Sequence, residues 1–398
     1  MVSRLISNLI LLRNALVLPC LVFIVLSGVL AFAKTPVNEN GEIQSINDAF
    51  RTAKFWNGAD GAMTIDLSSG KTLWLFGDTW VTDPKSAGTP QNRRMINNSV
   101  ALQDGENWSF WFGGNASQPK SLFVPQEKET WFWPGCGIEY DGKLFLILKK
   151  IIKKANPNPM FQFDWTGEDL VTVKNPLESP NKWIYSDAPL SSYLHQVQFG
   201  LACMRDDKYI YSLCYYDKNP GYLKETLIAR VELDELPRAK RKHWQFWCKG
   251  KTGNDGSWQQ DFTKAENIIP NCGPEASLFF HKGFGCYVAV YQSPFSPTVI
   301  MRVSRQIEGP WSKECALYKI PEIKLADGER KALVYAAKAH VSFSKGNQIG
   351  FTYCANPGGL SDHAVNRDIY FPRARFVNVT QARINELLET AASAKPER

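Results

Sequence analysis

This 398-residue chain lacks most of the features that would place it at a glance. No short period runs through it, which excludes fibrous and collagen-like classes. No long charged or Gly/Ser-rich tract appears, and aromatics make up 13%, so the chain is not disordered. Only one apolar stretch is long enough to cross a bilayer, which excludes a multi-span membrane protein. There is no GxSxG elbow, Walker loop, HExxH helix or dinucleotide fingerprint. CxxC pairs are missing and no His stands at zinc spacing from a cysteine, so no metal ligands are assigned. Helical periodicity is also scarce until residues 380–394, which can form one amphipathic helix.

The single apolar stretch opens the chain. Arg4 and Arg13 precede an almost wholly apolar run from Ala15 to Ala33, which ends in small residues. That pattern reads as a signal peptide over residues 1–33, cut before Lys34, with an uncleaved anchor as the alternative. The remainder is expected to be exported, to the medium, periplasm or cell surface, without stable membrane insertion. Cleavage leaves 44 basic against 39 acidic residues. The densest basic run, Lys149, Lys150, Lys153 and Lys154, reads as a solvated face, and no nucleic-acid partner is expected. Export permits disulfides among the eight remaining cysteines, and Cys203 and Cys214, flanking a hairpin, are the first pair to test.

What the chain does have is alternation. Aromatic and β-branched runs broken by polar turns form five hairpins, whose turns fall near residues 70, 142, 207, 283 and 346. Their strands read as 61–67 with 72–77, 137–140 with 143–148, 200–204 with 209–215, 276–280 with 287–291, and 340–343 with 348–353. Further strand-like runs follow the hairpins, at 108–112, 226–231 and 298–303, giving each unit room for four strands. A long, nearly even period of one supersecondary unit predicts an all-β, five-bladed β-propeller. The expected layout is one propeller domain over residues 34–380 and a C-terminal helix and tail over 381–398. A β-sandwich with long loops is the alternative.

In a propeller the start of each innermost strand and the end of the next strand gather at one mouth of the central funnel. Asp60 and Asp78 lie symmetrically about the first hairpin turn, so the ladder places them side by side. Two carboxylates that close resist double ionisation, which raises one pKa and suits an acid/base or acid/nucleophile pair. Trp56, Trp74 and Trp80 are expected to cluster around them. Equivalent strand starts bring Pro134-Gly-Cys136, Gln198-Phe199, Glu275 and Lys338-Ala-His340 to the same mouth. Glu275 is a third candidate acid, and His340 a candidate for orienting substrate. Arg94, Asn97 and Asn98 are placed to hold hydroxyl groups, while Arg373 and Arg375 are expected to lock the closing strand.

Several stretches then carry a resemblance. They are Trp56-Asn-Gly-Ala-Asp-Gly-Ala-Met-Thr-Ile-Asp-Leu67, Thr72-Leu-Trp-Leu-Phe-Gly-Asp-Thr-Trp80, Met95-Ile-Asn-Asn-Ser-Val-Ala-Leu102, Trp131-Phe-Trp-Pro-Gly135, Glu308-Gly-Pro-Trp311, Tyr335-Ala-Ala-Lys-Ala-His340 and Ile369-Tyr-Phe-Pro-Arg373. Together they resemble a group of exported, five-bladed propeller proteins of a domain-of-unknown-function type. That group is related to arabinanase-like glycoside hydrolases and includes endo-D-arabinanases. The resemblance implies a glycoside hydrolase cleaving an arabinan-like polysaccharide with two carboxylates, Asp60 and Asp78, with Glu275 in reserve; a monomer is expected. Trp80, Trp131 and Trp133 would stack on sugar faces, and Arg94, Asn97, Asn98 and His340 would hold substrate. Side-by-side carboxylates favour the retaining geometry. Relatives often show an acid after Trp-x-Trp-Pro-Gly where this chain has Cys136. Several arabinanase-like propellers hold a cation in the central channel; no ligand set in this sequence identifies one, and no other cofactor is implied. The reading from a different class is a carbohydrate-binding propeller without catalysis, in which a cation such as Lys338 neutralises the acid pair.

Overall fold

A computed structural model describes residues 41–82, 93–154, 162–192, 196–218, 224–238, 240–250, 256–294, 296–323, 332–356 and 370–393. The expected signal peptide lies outside the described residues. Five antiparallel sheets follow one another along the chain. Blade I contains β1 (Trp56–Asp66), β2 (Thr72–Thr82), β3 (Arg93–Ile96), β4 (Ser99–Asp104) and β5 (Asn107–Trp111); a small ribbon, β6 (Gly113–Asn115) and β7 (Gln118–Lys120), comes next. Blade II holds β8 (Thr130–Tyr140), β9 (Lys143–Lys153), β10 (Phe163–Val173) and β11 (Tyr185–Ser192). Blade III holds β12 (Val197–Arg205), β13 (Tyr209–Tyr216), β14 (Glu225–Glu232), β15 (Gln245–Cys248) and β16 (Ser257–Gln259). Blade IV holds β17 (Ala276–His281), β18 (Cys286–Gln292), β19 (Thr298–Ser304) and β20 (Cys315–Lys319). Blade V holds β21 (Leu333–Ala339), β22 (Gln348–Asn356) and β23 (Arg373–Asn378).

The first strands of consecutive blades touch in turn, and β21 comes back against β1, closing the ring of a five-bladed propeller. Apolar residues on the faces of each sheet meet those of the next blade, so the core is a series of wedges between blades. The C-terminal helix α2 (Gln381–Ser393) buries Ile384, Leu387, Leu388 and Ala391 in the wedge between blades IV and V.

Three expectations need correction. Blade V has three strands of its own, and its outer edge is completed from the other end of the chain. Ile43 N donates to Ala374 O at 2.9 Å, and Glu42 bridges Arg375. Its inner strand is β21, one segment earlier than the expected 340–343, which forms a single 3-10 turn at Val341–Phe343. A bulge between Tyr335 and Lys338 hid β21 by breaking its alternation. Finally, α1 (Gln44–Thr52) is a helix the sequence reading did not find; Ile46 and Phe50 carry its buried face. Phe50 meets the rings of Trp56, Trp74, Phe76 and Trp108 with centroids 5.4–5.6 Å away. Trp56 and Trp74 thus belong to this packed cluster, not to the surroundings of the acids.

Candidate active site at the funnel mouth

The ladder between β1 and β2 breaks register three times around Asp60. Ala59 pairs with Thr79 and Gly61 with Phe76, so Asp60 alone faces the two residues Gly77 and Asp78. The expected direct pairing of Asp60 with Asp78 is therefore replaced by a bulge, a device that re-aims side chains out of a ladder. Beyond it Ala62 is an extra residue held at φ +64°, a backbone conformation costly for any residue with a Cβ. Gly77 is required here for space: a Cβ on it would collide with Asp60 Oδ1. The inner strands of blades II, III and V break register at matching points. Blade IV instead starts its inner strand at Ala276, with Glu275 immediately before it.

Asp60 Oδ2 accepts a hydrogen bond from Tyr335 Oη at 2.8 Å, and Tyr370 also bonds its carboxylate. The Tyr370 hydroxyl also lies 3.1 Å from the backbone carbonyl oxygen of Asp78, which ties this phenol to the main chain beside the second acid. Asp78 Oδ1 accepts from Trp133 Nε1 at 2.8 Å and from Asn97 Nδ2 at 3.3 Å. Burial pushes Asp60 up to about 7, helped by the negative charges of Asp78 and Glu275 and opposed by the two phenols. Burial also raises Asp78, while Trp133 and Asn97 favour its ionised form. Both phenols are held well above the ordinary tyrosine value by burial and the nearby carboxylates, so they remain O–H donors.

Glu275 behaves differently. Burial alone would raise it, but the ammonium groups of Lys338 and Lys149 hold it below its usual value. It forms an ion pair with Lys338 and is a poor proton donor, which corrects its place as reserve acid. Lys149 donates to Pro274 O at 3.1 Å, so part of the basic run turns toward the funnel instead of forming one solvated face. Lys150 and Lys154 pair with acids.

Other candidates divide. Trp131 and Trp133 stand beside each other, ring centroids 6.1 Å apart, and Trp80 shares the partly exposed face of β2 with Asp78. Arg94 pairs with Val81, on the opposite face of that ribbon, and is exposed away from the acids. Asn98 is buried and committed to the backbone: Nδ2 donates to Phe123 O and Phe132 O, and Oδ1 accepts from Phe123 N. It fastens blade I to blade II and leaves no group for a ligand. His340 is equally enclosed, between Thr64 Oγ1 and Thr352 Oγ1 at 2.8 Å each, and burial pushes it down to about 3. It is a neutral strut between β1 and β22. Cys136 is bonded to Cys203 and not to solvent, which joins blades II and III and replaces the expected Cys203–Cys214 pair; Cys214 is a buried free thiol. Sequence reasoning missed Tyr335 and Tyr370, although both sit inside the motifs that carried the resemblance.

A family model described as a domain of unknown function (DUF5005) matches residues 44–382. The chain belongs to this family. Among curated proteins it is similar to notoamide biosynthesis cluster protein J of an Aspergillus species, with 23% identity over 317 residues, covering 73% of this chain and 77% of that one. Among solved structures it is similar to a Bacteroides ovatus protein provisionally named a hydrolase, with TM-score 0.69 and 19% identity, covering 87% of this chain and 91% of that one. A GH43_1 enzyme of Xanthomonas citri complexed with xylotriose follows at TM-score 0.44 and 13% identity, covering 84% and 92%. The Coprinopsis cinerea GH62 alpha-L-arabinofuranosidase catalytic domain has TM-score 0.42 and 9% identity, covering 83% and 93%. The resemblance read from the sequence therefore holds for the family and for the propeller, and at these identities the structural likeness speaks to fold.

Proposed function

We propose that this DUF5005 protein is a glycoside hydrolase that cleaves an arabinan-like polysaccharide at the funnel mouth of blade I. Asp60, with its pKa pushed up to about 7, is the general acid that protonates the leaving oxygen. Asp78, held by the N–H groups of Trp133 and Asn97, is the carboxylate that attacks the sugar or activates water. Glu275, kept ionised by Lys338, contributes the negative charge that helps to hold a proton on Asp60. The observation that carries this reading is the bulge that points two carboxylates with raised pKa values into one funnel. With direct pairing replaced by a bulge, the separation of the two carboxyl groups decides the outcome: roughly 5–5.5 Å gives retention and roughly 6.5–9.5 Å inversion. Trp80, Trp131 and Trp133 supply the aromatic faces for sugar rings. The non-catalytic alternative has the two acids too far apart or neutralised by a cation such as Lys338 or an arginine; against the Lys338 form of it, Lys338 Nζ bonds Glu275 and two carbonyls. We further propose export by the leader and action as a monomer.

The test is reducing-sugar release from a panel of arabinans and related polymers by residues 34–398, beside Asp60→Asn and Asp78→Asn. Release by the native chain, reduced roughly 100-fold or more in each variant, is expected. Release that survives both substitutions would overturn the assignment. Binding without release from any polymer would favour the non-catalytic propeller.

A further inference from the structure

Three oxygens converge where the inner elements of blades I, IV and V meet: Gly61 O, Glu275 Oε2 and Ala336 O. Two carbonyls and a carboxylate are the all-oxygen set that a hard cation favours. In this chain the set is already taken. Lys338 Nζ bonds all three, at 2.8 Å to Ala336 O and 2.5 Å to Glu275 Oε2, and its side chain is 1% exposed. An ammonium group has three donors and no acceptor, so three oxygens satisfy it completely. A metal ion on the same oxygens would have to expel the ammonium and leave a buried charge without its partner. The residues therefore do not fit a metal at this point of the funnel. Among the described residues, moreover, no group of three or more His, Cys, Asp or Glu is arranged to hold one.

We infer that Lys338 is the resident cation of the funnel, a side chain that fills with an ammonium group the oxygen set a metal ion would otherwise need. Its position gives it a second task. Gly61 directly follows Asp60 and Ala336 directly follows Tyr335, so Lys338 pins the backbone on both sides of the Asp60–Tyr335 hydrogen bond. Ala336 is held at φ +62°, a conformation costly for a residue with a Cβ, and the bond to its carbonyl supports it. The inference concerns the fold and its ion, and it stands or falls separately from the glycosidase reading.

Thermal unfolding tests it. The native chain is compared in millimolar calcium chloride and in excess chelator, and its melting temperature is expected to be the same in both. Lys338→Met, which keeps the length and removes the charge, is expected to melt roughly 5–10 °C lower. Lys338→Ala leaves room for propylammonium, so propylammonium chloride is expected to raise its melting temperature by several degrees. Sodium chloride and tetramethylammonium chloride, which lack N–H donors, are expected not to. Glu275→Met combined with Lys338→Met is expected to remain below the native chain, since Gly61 O and Ala336 O stay unpaired. A native melting temperature that rises with calcium and falls with chelator overturns the inference. So does a Lys338→Met chain that melts with the native one, or a Lys338→Ala chain that propylammonium fails to stabilise. The native-chain comparison reads out even where a variant does not fold.

Discussion

Asp60 is a carboxyl whose folded pKa, about 7, lies above its ordinary 3.8. Folding therefore takes up a proton between about pH 4 and 7, and the folded state loses stability as pH rises through that window. Asp60→Asn removes the linkage, so its melting temperature should gain on the native chain as pH is raised from 4 to 8. The same group predicts that activity falls as pH passes about 7, where the acid loses its proton. Tyr335→Phe removes a hydrogen bond that lowers Asp60, and it should move this falling limb to higher pH. Gly77→Ala is the steric test, because its Cβ competes with Asp60 Oδ1 for one position. The expected result is a loss of roughly 100-fold in kcat/KM in a chain whose circular dichroism is unchanged. The aspartate spacing was legible in the sequence because it mirrors a hairpin turn. The position of Lys338 at the mouth was legible too, but its pairing with Glu275 was not, and neither were the phenols on Asp60, because Tyr335 and Tyr370 come from the far end of the chain and only ring closure brings them near.

Among the elements, β8 links site and frame. Its Trp133 reaches across to Asp78, while Cys136, three residues on, is bonded to Cys203 of β12. Trp133→Phe keeps the ring and removes the N–H donor to Asp78. It should reduce kcat/KM by roughly 10–100-fold and shift the rising limb of the pH profile upward. Replacing both Cys136 and Cys203 by Ser should lower the melting temperature by roughly 4–8 °C and spare the pH profile. Strands were readable wherever aromatic and β-branched runs were continuous, as in β9, β13 and β18. The reading failed where a bulge inserted an extra residue at Ala336, and β21 was lost for that reason. Such irregular points are where the funnel residues gather. The cysteine pairing was out of reach because 67 positions separate the partners, and only the packing of neighbouring blades sets them face to face.

At the scale of the molecule, the ring closes in blade V. Arg375 bonds Glu42 at 3.0 Å and the hydroxyl of Tyr353 at 3.0 Å, while Asn47 exchanges two hydrogen bonds with the backbone of Ala374. Arg375 was expected to lock the last strand, and the partner that makes the lock, Glu42, carries no signal of its own. Arg375→Ala should lower the melting temperature by roughly 5 °C or more, since it removes the buried cation that ties Glu42 and Tyr353 to the last strand. The closure also sets an order of events. Glu42 and Arg375 are 333 positions apart, so at synthesis rates of 5–20 residues per second the first partner waits roughly 15–70 s for the second. A nascent chain that stops short of residue 373 owns four whole sheets and one unfinished edge, and an unpaired edge invites pairing with other chains. The last strand thus acts as a completeness check: a propeller synthesised to its end hides its seam, and a truncated one displays it to proteases and chaperones.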